Sequence, residues 1–135
     1  MLPARTLSVS IRRPPAAVYE FVSDPTNLPR WAPAFCLGAR RDDQGWIVET
    51  PQGPVGFRFV EPNALGVLDH YVQPATGAEV YVPMRVVANQ GGATEDGSEV
   101  LFTLFRTPDM DDERFAADGR LVQRDLEQLR AVLET

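Results

Sequence analysis

Between residues 36 and 107 the chain is cut by turn-forming clusters into short apolar runs, and one long helical pattern follows directly. This order constrains the fold more than any other feature of the sequence. The clusters are Asp42-Asp43-Gln44-Gly45, Pro51-Gln52-Gly53-Pro54, Glu61-Pro62-Asn63-Ala64, Pro74-Ala75-Thr76-Gly77 and Gln90-Gly91-Gly92 through Gly97. They separate six runs rich in Val, Phe, Tyr and Leu at hairpin spacing, which predicts an antiparallel meander. From Met110 to Glu134 the pattern becomes helical: Phe115, Gly119, Val122, Leu126, Leu129 and Leu133 form one stripe at alternating spacings of four and three. Asp111, Asp112 and Glu113 favour the positive end of the helix dipole, and Asp109 is the expected N-cap. A meander this long must curl, and its apolar face must be covered. The last helix is the only element large enough to cover it.

The segment before the meander reads as a strand and two short helices. Leu7, Val9 and Ile11 alternate with Ser8, Ser10 and Arg12, the period of a half-buried strand. Pro14-Pro15 stops it, and Pro15 can open a helix whose face holds Val18, Phe21 and Val22. Ser23-Asp24-Pro25 ends that helix, and a second helical turn is expected from Thr26 to Trp31 between Pro29 and Pro33. Asp24 and Asn27 are the expected capping residues.

A length of 135 residues supports one core and one domain. Acidic residues outnumber basic ones 19 to 13, giving a net charge of −6, and this argues against a duplex nucleic-acid partner or an anionic membrane surface. Every basic residue is Arg, so lysine-dependent chemistry is excluded. The single Cys36 and single His70 exclude an internal disulfide and a His/Cys metal cluster, and no metal or organic cofactor is expected. Met1 to Arg5 lacks the apolar core of a signal peptide, and no run approaches the ~20 apolar residues of a spanning helix. A cytoplasmic protein without membrane insertion is the expectation.

The N-terminal residues carry a resemblance. Val9, Ile11, Pro14, Val18-Tyr19, Phe21-Val22, Asp24, Asn27, Pro29 and Trp31, at the spacings they hold here, resemble the SRPBCC or START-like superfamily, which includes polyketide cyclase/dehydrase-like and lipid-transfer proteins. The motif covers about a quarter of the chain, and the order of elements matches over the rest. The resemblance implies one START-like domain over residues 1–135, of α+β class with the helix-grip fold. That fold is a curved seven-stranded antiparallel sheet around a long C-terminal helix, with two short helices between strands 1 and 2 and an apolar cavity inside. Catalytic residues differ between branches of the superfamily, and none is carried over to this chain.

Centring each hairpin on its turn assigns the two faces of the sheet. This pairs Ala39 with Val48, Val48 with Phe57, Phe57 with His70, and His70 with Val82, and places Trp46, Phe59, Leu68 and Met84 in the neighbouring row. The opposite face collects Arg40, Glu49, Arg58, Asp69, Tyr71, Tyr81 and Arg85, with Arg58 facing Asp69 as an ion pair. Tyr71 and Tyr81 pair there, suited to surface packing or to a homodimer contact. The expected cavity wall is Trp31, Val48, Phe57, Phe59, Leu68, His70, Val82, Met84, Phe102, Phe115 and Gly119. The missing side chain of Gly119 leaves room beneath the helix, either for a ligand or for a ring such as that of Trp31, Trp46 or Phe57.

His70 is the only candidate base: a polar anchor or general base in an apolar pocket, or a neutral buried imidazole bonded to backbone. Asp69 points to the other face and forms no dyad with it. Arg106 is expected in a salt bridge with the acidic first turn, and Cys36 as an inert small residue. Three functions fit these features. The first is a protein that binds an apolar or aromatic small molecule. The second is a cyclase or dehydratase acting on an aromatic or polyketide-like substrate, for which a donor to the enolate oxygen is not evident. The third is a non-catalytic interaction module using its outer surface.

Overall fold

A computed structural model describes residues 1–91 and 96–135. The elements run β1 (Ala4–Ile11), α1 (Pro15–Val22), a 3-10 turn (Pro25–Asn27), α2 (Leu28–Trp31), β2 (Gly38–Asp42), β3 (Gly45–Thr50), β4 (Gly53–Phe59), β5 (His70–Gln73), β6 (Val80–Val82), β7 (Met84–Ala88), β8 (Ser98–Phe105) and α3 (Asp112–Leu133). The α+β order of the sequence reading is present, with two short helices after β1 and the long helix last. The cluster of turn residues after Gln90 falls partly on residues 92–95, outside the described residues.

Among the described residues, the single seven-stranded sheet is corrected to eight strands in two sheets, one of three strands in the order β1-β8-β7 and one of five in the order β2-β3-β4-β5-β6. The sequence run Val80–Ala88, read as one strand, is divided at Pro83. Proline has no N–H to give to a ladder. His70 pairs with Val82 on one side of the break, and an isolated bridge joins Val67 to Arg85 on the other, so one hairpin register serves both sheets. Asp69, buried opposite the break, takes the hydrogen bonds that the ladder loses: its carboxylate accepts from Met84 N–H at 2.9 Å, from the Tyr81 hydroxyl at 2.7 Å and from Arg85.

Two register assignments are also corrected. Val48 pairs with Val55, and Phe57 with Trp46 on one side and Val72 on the other, while His70 pairs with Phe59. Each shift is two residues. The β3–β4 hairpin turns on Pro51-Gln52 alone, stitched by Thr50 Oγ1, which accepts from Gln52 N–H at 3.2 Å and donates to Gly53 O at 2.7 Å. In the next connection Asn63 shapes a longer loop, its Oδ1 accepting from Leu65 and Val67 N–H at 3.0 Å each. An even shift keeps each side chain on its face, so the facial assignment holds while the Arg58–Asp69 pair does not. Arg58 instead pairs with Glu79 at 3.0 Å and lies over the Tyr71 ring at 4.0 Å. The Ala39–Val48 and His70–Val82 pairs, and the stacked Tyr71 and Tyr81, stand as expected.

The helix α3 begins one cap later than the sequence suggests. Asp111, not Asp109, is the N-cap, accepting from Arg114 N–H at 2.7 Å. Asp109 instead accepts from the Thr107 hydroxyl. The other end is tied to β1: Glu134 accepts from Arg12 N–H at 2.9 Å, and Arg13 donates to Leu133 O at 3.0 Å, satisfying an orphan carbonyl. Between these ties Leu126, Leu129 and Leu133 enter the same core as Leu7, Val9 and Ile11 of β1. Asp24 caps the 3-10 turn through Thr26 N–H at 3.0 Å, and Asn27 Nδ2 holds Phe21 O at 2.9 Å. Arg106 pairs with Asp112 and donates to Met110 O at 3.0 Å. Cys36 is buried, and burial pushes its thiol pKa up. Among the described residues, no helix is long and apolar enough to cross a membrane.

Candidate functional site

A cavity of about 370 Å³ lies between the inner face of the five-stranded sheet and one side of α3. Its sheet wall is built from alternate residues, because only every second side chain of a strand faces inward. Phe57 and Phe59 come from β4, His70 and Val72 from β5, Val80 and Val82 from β6, and Phe102 and Leu104 from β8. One end is closed by α2 and the turn after it, through Leu28, Trp31, Ala32, Ala34 and Phe35. The helix side is Arg114, Asp118, Leu121, Val122 and Asp125, with Met110 just ahead of it and Pro51-Gln52 at the rim.

His70 is held at the centre of an aromatic cluster. Its ring stacks on Phe57 with centroids 5.1 Å apart and meets Phe59 and Phe102 edge-on at 5.5 and 5.8 Å. Nδ1 lies 3.0 Å from Leu68 O. A carbonyl only accepts, so Nδ1 carries the proton and Nε2 presents a lone pair. Burial lowers the pKa of His70 from 6.5 to about 4, against smaller upward contributions from that backbone bond and from Asp69. The imidazole is therefore neutral at pH 7, both buried and on the cavity wall.

The polar groups of the opposite wall come from α3. Asp125 is buried, accepts from Ala34 N–H at 3.3 Å, and burial raises its pKa from 3.8 to about 6. Burial also raises the pKa of Asp118, whose carboxylate lies 3.7 Å from Arg114 Nε. Trp31 is buried, and its Nε1 has no hydrogen-bond partner among the described residues. A buried donor without an acceptor costs about 1–3 kcal/mol.

Of the residues expected on the wall, Trp31, Phe57, Phe59, His70, Val82 and Phe102 line the cavity. Val48, Leu68 and Met84 lie in the closed core instead. Phe115 and Gly119 are off the wall: α3 packs on β1, and of the expected stripe Val122 alone lines the cavity. Neither occupant expected under Gly119 is there: a Cβ added at this position meets the Arg5 guanidinium, 2.8 Å from Nη1 and 3.5 Å from Cζ. The sequence reading missed the helix side of the cavity. Arg114, Asp118, Leu121 or Val122, and Asp125 recur at the same helical spacing as the apolar stripe, and that recurrence was the available signal.

No family model and no curated protein matches the sequence. Solved structures do match. Over 98% of this chain and 96% of the other, the fold superposes on the XoxI protein of Bacillus cereus with a TM-score of 0.74 at 16% identity. The di-domain ARO/CYC protein BexL of the BE-7585A biosynthetic pathway gives 0.68 at 15% identity, over 98% of this chain and 47% of that one. A START superfamily protein of Mycobacterium smegmatis gives 0.61 at 14% identity, over 97% of both chains. What these proteins share with this one at such identities is the fold, and the chain has the SRPBCC or START-like fold that its N-terminal residues resemble.

Proposed function

We propose that this START-like domain binds a flat apolar or aromatic small molecule in the cavity between its five-stranded sheet and α3, and that binding needs neither metal nor organic cofactor. The observation that carries this reading is the cavity itself. Its volume of about 370 Å³ falls within the range of about 300–1,000 Å³ typical of ligand pockets, and its wall is aromatic with a few convergent polar groups. The solvatochromic dye Nile red supplies the test. It should bind saturably with micromolar Kd, be displaced by aromatic or acyl compounds, and be indifferent to chelators. Val122→Trp, which places an indole in the cavity, should abolish binding while the protein stays folded. Binding that survives this substitution unchanged places the dye elsewhere and refutes the reading.

One observation favours a second reading, an enzyme that acts on an enolisable aromatic or polyketide-like substrate. Such chemistry needs a base near an acidic C–H and a donor for the enolate oxygen. The cavity wall holds both types of group: the neutral His70, and on α3 the carboxyl of Asp125, which is protonated and can donate below about pH 6. A pKa near 4 makes His70 a weak base, which is why binding stands first. Deuterium uptake from solvent at the central carbon of a 1,3-diketone, accelerated by the protein and lost in His70→Phe, is the result expected of the enzyme.

A further inference from the structure

The sheet wall of the cavity holds one ring nitrogen that the fold leaves free. His70 opens β5, and its imidazole is walled by Phe57 and Phe59 of β4 and Phe102 of β8, with centroids 5.1, 5.5 and 5.8 Å away. The residue is 6% exposed, yet only one of its two nitrogens is paired within the described residues. Nδ1–H donates to Leu68 O at 3.0 Å, and Nε2 has no partner. Other buried polar side chains differ: Thr50 both accepts and donates within its turn, and Asp69 accepts three hydrogen bonds. Nε2 is also not sealed off. Among the described residues, Trp31 Nε1 is the only fully occluded side-chain nitrogen or oxygen that lacks a partner. The rings around His70 line the cavity with it, so the surface that Nε2 keeps is cavity surface. Those rings have no polar hydrogen to give it. Buried acceptors are normally paired, and one left open on a cavity wall takes its partner from the contents of the cavity.

We infer that His70 Nε2 is the anchor for a neutral hydrogen-bond donor, and that the molecule bound in the cavity is a phenol or enol whose O–H points at the sheet. The tautomer fixes the direction of the bond: with Nδ1 committed as the donor, Nε2 can only accept. Burial keeps the imidazole uncharged at pH 7, so Nε2 remains an acceptor there. A hydrocarbon or an ether displaces water from Nε2 and gives no hydrogen in return, which leaves a desolvated acceptor unpaired. An ionised carboxylate has no hydrogen to give either, and sets its charge against the lone pair in a poorly solvated site. The acidic O–H of a phenol or enol is a stronger donor than that of an alkanol, and its flat frame suits an aromatic wall. Rejection of analogues that lack the hydrogen-bonding group is the strongest discrimination a buried polar site makes.

This inference rests on the binding proposal above, and Nile red displacement separates the failure of one from the failure of the other. Four competitors of one ring system are compared at pH 7.5: 2-naphthol, naphthalene, 2-naphthoate and 2-methoxynaphthalene, which keeps the oxygen and carries a methyl in place of the hydrogen. The wild-type protein should bind 2-naphthol about fivefold tighter or more than each of the others. In His70→Phe the preference for naphthol over its methyl ether should fall below about twofold. The ratio is taken within each protein, so a general change in affinity cancels. His70 is the only histidine of the chain, so a ¹⁵N-histidine label reports it alone in the unsubstituted protein, and decides should the variant fail to fold. Its Nε2 signal should be that of an unprotonated nitrogen in the free protein, move upfield as 2-naphthol saturates, and show no upfield move with the ether. A protonated Nε2 in the free protein, an Nε2 signal indifferent to naphthol, or equal binding of naphthol and its ether overturns the anchor while leaving the cavity reading intact. A preference for 2-naphthoate, or a naphthol preference that persists in His70→Phe, does the same. Absence of Nile red binding overturns the cavity reading and the anchor together.

Discussion

The two sides of α3 make opposite use of one helix. Toward β1 the stripe of Gly119, Leu126, Leu129 and Leu133 is closed: the leucines are core residues, and Gly119 lets the helix approach close enough for Arg5 to lie across it. Toward the five-stranded sheet, Arg114, Asp118, Val122 and Asp125 stand back from Phe57, His70 and Val82, and space remains. The difference teaches that the helix is anchored along one face and spaced on the other. The caps and the Arg12, Arg13 and Glu134 ties at its C-terminal end fix its position, so the open side need not be filled to hold it there.

Truncation should break the comparison most visibly. Leu129→Ala, on the closed side, should cost about 2–5 kcal/mol, because it leaves a cavity in a packed core. Val122→Ala, on the open side, should cost about 1 kcal/mol or less, since its methyls face existing space. Chemical denaturation of the two variants under one condition measures both. Equal costs would mean that the open side is packed as tightly as the closed one.

A pH series sharpens the comparison within the cavity, because its two buried titrating groups act in opposite directions. His70 has a folded pKa of about 4, below its ordinary 6.5, so its contribution to stability is complete above pH 6.5 and is lost as pH falls toward 4. Asp125 has a folded pKa of about 6, above its ordinary 3.8, so its contribution is complete below pH 3.8 and is lost as pH rises through 6. Asp125→Asn keeps an acceptor for Ala34 N–H and removes the charge. It should stabilise the protein by about 1–2 kcal/mol at pH 7.5, a gain that shrinks to nothing by pH 4. His70→Phe should show the reverse slope, doing better relative to wild type at pH 4 than at pH 7. Denaturant titrations across this range detect both trends, and a pH-independent difference for either variant contradicts the burial assigned to it.

The smallest effect belongs to Gly119→Ala. Its Cβ meets only the movable end of Arg5, so the displacement costs little and the helix gains up to about 1 kcal/mol of propensity. The melting temperature should hold or rise slightly, with Nile red affinity unchanged. A loss of dye affinity would return Gly119 to the cavity wall.

Much of this architecture was legible because alternation is robust to the errors made in reading it. Centring the hairpins one residue late at Pro51-Gln52 and one residue early in the Asn63 loop moved Val48, Phe57 and Arg58 to wrong partners, yet left each on its proper face. Thus Phe57, Phe59, His70, Val82 and Phe102 could be placed together from sequence, whereas the Arg58–Glu79 pair could not. The break at Pro83 was hidden for a different reason: a missing N–H interrupts a ladder without changing the apolar pattern on either side. The helix wall was missed because hydrophobicity finds the face that is packed. Asp118 and Asp125 have the signature of solvated residues, and only the tertiary structure shows them turned toward a cavity.

The most direct measurement of the central claim uses the two tryptophans. Trp31 lies on the cavity wall, while Trp46 on β3 is off it, with Arg41 over its ring. Each gives one indole N–H signal in a ¹⁵N-correlated NMR spectrum. Titration with 2-naphthol should shift the Trp31 signal progressively to saturation and leave that of Trp46 nearly in place, with the same pattern absent in Val122→Trp once its added indole signal is set aside. A spectrum in which neither native signal moves, or in which Trp46 responds and Trp31 does not, would contradict a ligand site between α3 and the sheet.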